Sequence, residues 1–365
     1  MIPLVDLTRQ HAALRSALLA AMTRVLDSSR FVLGAEGRAL EDALAARCGV
    51  RHGIGVASGT DALRLALQAL GVGPGDEVIT PAFSFVASSS TIAMTGATPV
   101  FVDIEPDTYA IDPVAIERAI TPRTRGVVVV HLYGHPAAMT PIVALARSRG
   151  LFVIEDAAQA VAAEVDGRPV GAWGDVTCLS FYPTKNLGAC GDGGMILTDR
   201  DDLADRLRRL RHHGDVARYE HVELGDCSRL DELQAAVLRV KLERLEAWTG
   251  ARRRIAARYH EALADTTLTL PRERAGARHV YYLYTVRHPQ RDAFAKALAD
   301  LGVGTAVHYP MPAPTQGLFG RRDARAWPVS ERAAAEVISL PCFAELTEEE
   351  VGEVTRAVRL ACERL

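Results

Sequence analysis

The segment Ser180-Phe181-Tyr182-Pro183-Thr184-Lys185-Asn186-Leu187-Gly188 carries an apolar run into a turn that holds one lysine. Gly191, Gly193 and Gly194 follow closely. An amine kept in an apolar, partly desolvated pocket loses part of its charge and becomes nucleophilic toward a carbonyl carbon. Schiff-base chemistry requires that, and the glycines let the backbone turn tightly against a planar ligand. A lone lysine in such a turn is ordinarily just exposed, so the reading of Lys185 depends on its company.

Val153-Ile154-Glu155-Asp156-Ala157-Ala158-Gln159 places Asp156 at the end of a buried strand. A carboxylate there is costly unless it meets a cation or several donors. A protonated pyridine nitrogen is such a partner, and the pairing keeps the ring able to draw electrons. A carboxylate capping the next helix is the plain alternative, and the residues alone leave both open. Gln159 projects from the same turn.

Ala57-Ser58-Gly59-Thr60-Asp61-Ala62-Leu63 opens an apolar helix, with small residues where backbone N–H groups are free. Helix N-termini bind phosphate through those donors, although an ordinary N-cap by Ser58 or Thr60 reads equally well. Ser180 adds a hydroxyl that could reach the same phosphate. In Pro81-Ala82-Phe83-Ser84-Phe85, one aromatic could lie flat on a ring, while burial in the core is the commoner fate of a phenylalanine.

These motifs need a frame. Strands are predicted at Glu77–Thr80, Pro99–Asp103, Gly126–His131, Leu151–Glu155, Val176–Phe181 and Gly194–Thr198, with helices near Thr60–Leu70, Asp112–Ala119 and Pro141–Arg149. The alternation predicts an α/β fold with a mostly parallel sheet covered on both faces. Such sheets bind ligands at the carboxyl ends of their strands. A single long helix is predicted over Arg229–Leu263. Beyond it, a strand at Val280–Val286, a helix at Arg291–Leu301, a strand at Thr305–His308 and a helix at Glu348–Arg364 predict a small α+β domain. The division is a large domain over residues 1–250 and a small one over 251–365, with the N-terminal helix Thr8–Leu26 packed on the small domain.

The chain has 365 residues, 48% of them apolar, and a formal charge of −3. That balance offers no general attraction for nucleic acid or an anionic membrane. The six cysteines are scattered without metal-ligand spacing, which fits reduced thiols in a cytoplasm. Charge arrives at Asp6 before a signal peptide could form, and no stretch is apolar for long enough to cross a bilayer.

Taken in order, SGTDAL, DEVITPAFSF, EDAAQ, SFYPTKNLG with its glycine tail, and SRLDELQAAVL resemble the DegT-type family of sugar aminotransferases. The likeness runs from Val5-Asp6-Leu7 to Leu340-Pro341. It implies a pyridoxal phosphate (PLP) enzyme of the aspartate-aminotransferase fold, type I. Such an enzyme moves an amino group from an amino acid, by analogy glutamate, to a nucleotide-linked keto-sugar, usually as a homodimer with shared sites.

Carried onto this sequence, the resemblance makes Lys185 the Schiff-base lysine and proton shuttle. Asp156 would pair with the pyridine nitrogen and Gln159 would lie near the phenolic oxygen. Gly59, Thr60, Asp61 and Ser180 would hold the phosphate, and Phe85 would stack on the ring. His308-Tyr309-Pro310 matches the segment near the sugar, so His308 and Tyr309 are candidate substrate contacts, with Arg229 a third.

Three departures stand out. Cys227 replaces an asparagine that usually reaches the partner subunit's phosphate. Ala160-Val161-Ala162 lacks the histidine common beside the ring, and Ala313-Pro314-Thr315-Gln316 replaces a frequent His-Leu-Gln pattern. A cyclitol or other cyclic keto acceptor is an alternative substrate, and a non-catalytic PLP-binding regulator is an alternative of another class. Lys185 argues against a sugar dehydratase of this fold, in which histidine replaces the lysine.

Overall fold

The computed structural model describes residues 1–320 and 323–365. At its centre lies a seven-stranded sheet in the order His52–Val56, Gly194–Thr198, Val176–Ser180, Phe152–Asp156, Thr124–Val130, Glu77–Pro81, Thr98–Val102. Gly194–Thr198 runs antiparallel to both of its neighbours, and the other strands all point one way.

Strand residues divide between the two faces with the period of two that a pleated strand imposes. Val128 and Ile154 pack with Leu63 and Leu67 of helix Gly59–Ala69 and Leu203 and Leu207 of helix Asp201–Leu210. Val127, Val129 and Val153 face the other way, onto Ile116 and Ile142. Both faces are covered, so the strands read as near-continuous apolar runs.

A second core surrounds the antiparallel pair Tyr284–Arg287 and Val337–Leu340. Phe294 and Leu298 of helix Arg291–Asp300 and Val354 and Val358 of helix Glu348–Glu363 pack there. The chain passes between the cores inside helix Leu245–Leu263. Its Leu245 belongs to a cluster with the sheet residues Leu179 and Leu197, while Ile255, Tyr259 and Leu263 belong to the second core.

Four local expectations need correction. The predicted single helix over Arg229–Leu263 is two helices, Glu232–Leu242 and Leu245–Leu263. Glu243 and Arg244 are good helix formers, so no local propensity announces the break. The N-terminal helix Leu7–Ser28 buries Leu14 and Leu18 against Val237, and Ala21 and Val25 against Ala236, so it lies along helix Glu232–Leu242. Only its first turn reaches the C-terminal part, where Arg9 pairs with Glu350 at 2.7 Å. The strand expected at Val280–Val286 is shortened to Tyr284–Arg287, because Val280 donates to the Gly134 carbonyl and Tyr281 has a φ of 45°. Thr305–His308 contributes a single bridge, Ala306 to Ser339. Among the described residues no helix is long and apolar enough to cross a membrane.

Candidate active site

The carboxyl ends of the parallel strands converge on a cavity of about 540 Å³. Ser58, Gly59 and Thr60 follow the strand His52–Val56, Ser84 and Phe85 follow Glu77–Pro81, and Val130 closes Thr124–Val130. Asp156, Ala158 and Gln159 come from the end of Phe152–Asp156, and Ser180, Tyr182, Thr184 and Lys185 from the end of Val176–Ser180. Parallel register brings these ends together, pairing Val130 with Asp156 and Asp156 with Cys178.

Two adjacent carboxylates illustrate how the site is prepared. Glu155 points to the far side of the sheet and is wholly buried. It accepts from the N–H groups of Gly171, Trp173 and Gly174, from Thr177 Oγ1, and from His131 at 3.1 Å. Burial opposes its charge, but His131 and these N–H donors outweigh burial and hold its pKa below the ordinary value. Asp156 faces the cavity and has two donors, Ser88 Oγ at 2.8 Å and the Ala158 N–H at 3.2 Å. Burial pushes its pKa up, only partly offset by Ser88, Ala158 and the charge of Lys185. A cation arriving from the cavity side would supply the missing partner.

Lys185 is half-buried, with its Nζ 4.8 Å from the centre of the Tyr282 ring. Its turn is fixed from within, where Lys185 N–H donates to the Tyr182 carbonyl at 2.8 Å. It is also fixed from outside, where the fully buried Lys241 donates to the Gly188 carbonyl at 2.8 Å and lies 3.0 Å from His11 Nε2.

At the other end of the cavity, Ser58 caps its helix by accepting from the Asp61 N–H at 3.0 Å, and its carbonyl takes the Ala62 N–H. The N–H groups of Gly59 and Thr60 are left without a protein acceptor among the described residues, as expected of a first helical turn. Gly59 is required by crowding, since a Cβ there would stand 2.7 Å from the Ser180 Cβ. Two free donors, the Ser180 hydroxyl and a helix N-terminus together suit a phosphate.

Phe85 is 52% exposed and lines the cavity, whereas Phe83 is core. The Phe85 ring centre lies 5.8 Å from that of Tyr309. Gln159 accepts from the Tyr133 N–H at 2.6 Å and donates to the Tyr309 hydroxyl at 3.2 Å. His308 lies 3.0 Å from Ser339 Oγ, and burial followed by the charge of Lys185 lowers its pKa to about 4.

Two candidates stand away from the cavity. The Asp61 carboxylate turns to Ser228 at 3.0 Å and Arg64 at 3.3 Å. Arg229 contacts His212 and the Cys227 sulfur, the latter at 2.7 Å. Sequence reasoning missed Ser88, Ser84, Thr184, Tyr282 and Asp192. A hydroxyl triplet at the start of helix Ala87–Met94 was the available signal for Ser88.

The sequence profile of the DegT/DnrJ/EryC1/StrS aminotransferase family matches residues 13–359. The chain belongs to this family. A UDP-N-acetyl-3-dehydro-alpha-D-glucosamine 3-aminotransferase from Acidithiobacillus ferrooxidans is 48% identical, with 98% of this chain and 97% of that protein covered. A protein of Geobacillus stearothermophilus named pleiotropic regulatory protein is also 48% identical, over 98% of this chain and 97% of its own. The crystal structure of S. venezuelae DesV in complex with a ketimine intermediate superposes with a TM-score of 0.98 at 44% identity, covering 100% of this chain and 99% of that one.

Aminotransferases of the DegT/DnrJ/EryC1/StrS family use pyridoxal phosphate, and this cavity fits it. Asp156 lacks an ion-pair partner among the described residues, Gly59 and Thr60 present free donors, and Lys185 lines the same cavity.

Proposed function

We propose that this aminotransferase moves an amino group from an amino acid, glutamate by analogy, to a keto-sugar carried by a nucleotide. What carries the reading is one cavity that holds Lys185 and Asp156 together with a phosphate-ready helix N-terminus. Pyridoxal phosphate, when bound, supplies an aldehyde for the amino group and a ring that draws electrons from the carbon bearing it.

The residues divide the work. Gly59, Thr60 and Ser180 bind the phosphate, Asp156 holds the ring nitrogen protonated, and Phe85 walls the ring on one side. Gln159 orients Tyr309 at the substrate end. Lys185 tethers the cofactor, and its released amine moves a proton to and from the reacting carbon, an effect typically worth about 10²–10⁴-fold. The neutral His308 imidazole and the Tyr309 hydroxyl offer polar contacts to an uncharged sugar.

We further propose a cytoplasmic homodimer with shared sites. Phe31, Val32, Val216, Tyr219, Val222 and Leu224 are exposed apolar residues that a partner would cover. Cys227 and Arg229 flank this group, which supports a role for Arg229 in assembly in preference to substrate binding in its own subunit.

The test is a panel of nucleotide keto-sugars with glutamate and PLP, products assigned by NMR. The Acidithiobacillus relative is named for amination at carbon 3, so a 3-keto-sugar comes first in the panel. Absence of any amino-sugar, with intact PLP binding, would favour the regulator reading that the Geobacillus name suggests.

A further inference from the structure

A second cavity of about 150 Å³ adjoins the first, and Thr184, Tyr282 and His308 line both. Its remaining walls are Leu4, Val5, Leu283, Leu340, Cys342 and Arg252. The guanidinium is the one charged group among the residues that line only this side cavity.

Arg252 is 8% exposed. Its Nη1 donates to the Cys342 carbonyl and, at 3.4 Å, to the Tyr282 carbonyl. Among the described residues Nε and Nη2 have no acceptor, and no carboxylate lies within ion-pair distance. Other poorly exposed arginines of the chain are matched, as Arg211 is by Glu41 and Arg64 by Asp226. A buried guanidinium without an anion is costly, and its planar fork of donors suits a carboxylate.

The main cavity offers little else to an anionic substrate. Its basic side chains are Lys185 and His308, beside the acids Asp156 and Asp192. Lys185 is committed to the cofactor, and the His308 imidazole is neutral near pH 7. A transaminase takes two unlike substrates in turn, and the amino-acid donor is the one that brings carboxylates. With about 30 Å³ per water-sized group, the side cavity has room for a carboxylate and two methylenes.

We propose that Arg252 and this side cavity form the subsite for the carboxylate end of a dicarboxylic amino donor. The proposal rests on the aminotransferase reading. It makes glutamate a better donor than glutamine or alanine, and it leaves the sugar half-reaction to other residues.

The experiment compares wild type, Arg252→Gln and Val5→Phe. Arg252→Gln keeps an amide donor for the two carbonyls, and Val5→Phe fills the side cavity with the guanidinium retained. Each half-reaction is followed separately by the spectrum of the bound cofactor, using glutamate or glutamine on one side and the amino-sugar product on the other. Calorimetry with the unreactive dicarboxylate glutarate gives an equilibrium readout on the cofactor-free protein.

Both variants are expected to lose roughly tenfold or more in kcat/KM for glutamate, to lose the preference for glutamate over glutamine, and to bind glutarate correspondingly more weakly. The amino-sugar half-reaction stays within about twofold of wild type. An equal loss in both half-reactions with lowered melting would mean that Arg252 only braces the Tyr282 and Cys342 carbonyls. Unchanged glutarate affinity in Val5→Phe would overturn the subsite even if Arg252→Gln failed to fold. Failure of the aminotransferase reading looks different, since wild type would then complete neither half-reaction.

Discussion

Glu155 and Asp156 are consecutive buried carboxylates that the fold treats in opposite ways, one surrounded by five donors and the other left with two. The pleat sends them to opposite faces of the sheet. Glu155 fastens the loop at Gly171–Gly174 to the strand, and Asp156 is kept short of partners on the side where a cofactor enters.

The opposite pKa shifts give opposite pH dependence. Glu155 has a folded pKa below its ordinary 4.5, so its contribution is present above that value and lost as pH falls through the lowered one. Asp156 in the cofactor-free protein has a folded pKa above its ordinary 3.8, so its contribution is present below 3.8 and lost as pH rises through the raised value. Cofactor-free Asp156→Asn should therefore melt higher than cofactor-free wild type at pH 7, by a few °C (about 2–4 °C per kcal/mol). Glu155→Gln should melt lower, by about 1–3 kcal/mol of stability. Calorimetric melts of both check this, and equal shifts of one sign would refute it.

With PLP bound the order reverses for Asp156. Asp156→Asn should still take up the cofactor yet lose on the order of 10²-fold or more in turnover. A steady-state rate near that of wild type would remove the residue from the chemistry.

Lys185→Ala should keep the fold, lose the absorbance of the covalently held cofactor, and drop in turnover by at least about 10²–10⁴-fold. Spectra and rates measured on the same sample decide it. Circular dichroism keeps the result from being confused with unfolding.

Gly59→Ala tests the phosphate end. The added methyl meets the Ser180 Cβ at 2.7 Å, so PLP affinity should fall by about tenfold or more, and the cofactor-free protein should also lose about 1–3 kcal/mol of stability to the overpacking. Titration of the cofactor-free variant measures it, and an unchanged Kd would move the phosphate elsewhere.

Much of this site is legible in the sequence because its parts sit where apolar strands end. Lys185, Asp156 and Ser180 each end or follow such a run, and chain order alone places them at one edge of a parallel sheet, whereas Gly59 is marked only by the apolar helix that it opens. What the sequence hides depends on tertiary direction. Ser88 supports Asp156 from helix Ala87–Met94, whose composition has no amphipathic stripe to fix which hydroxyl turns inward. Asp61 shares a motif with Gly59, yet its carboxylate leaves the cavity for Arg64 and Ser228. His52–Val56 escaped prediction because its two glycines weaken the strand signal. Its partner is the reversed strand Gly194–Thr198, which lies far along the chain.

The Lys241 contact beneath Gly188 has a consequence for how the molecule comes apart. It ties the turn bearing Lys185 to a helix that itself clasps the N-terminal helix, so loosening the start of that N-terminal helix would slacken the reactive amine from outside the main cavity. Limited proteolysis near residue 11 should thus silence the enzyme well before the central sheet yields, and a ligand that bridges positions 59, 156 and 185 would slow that nicking from a distance.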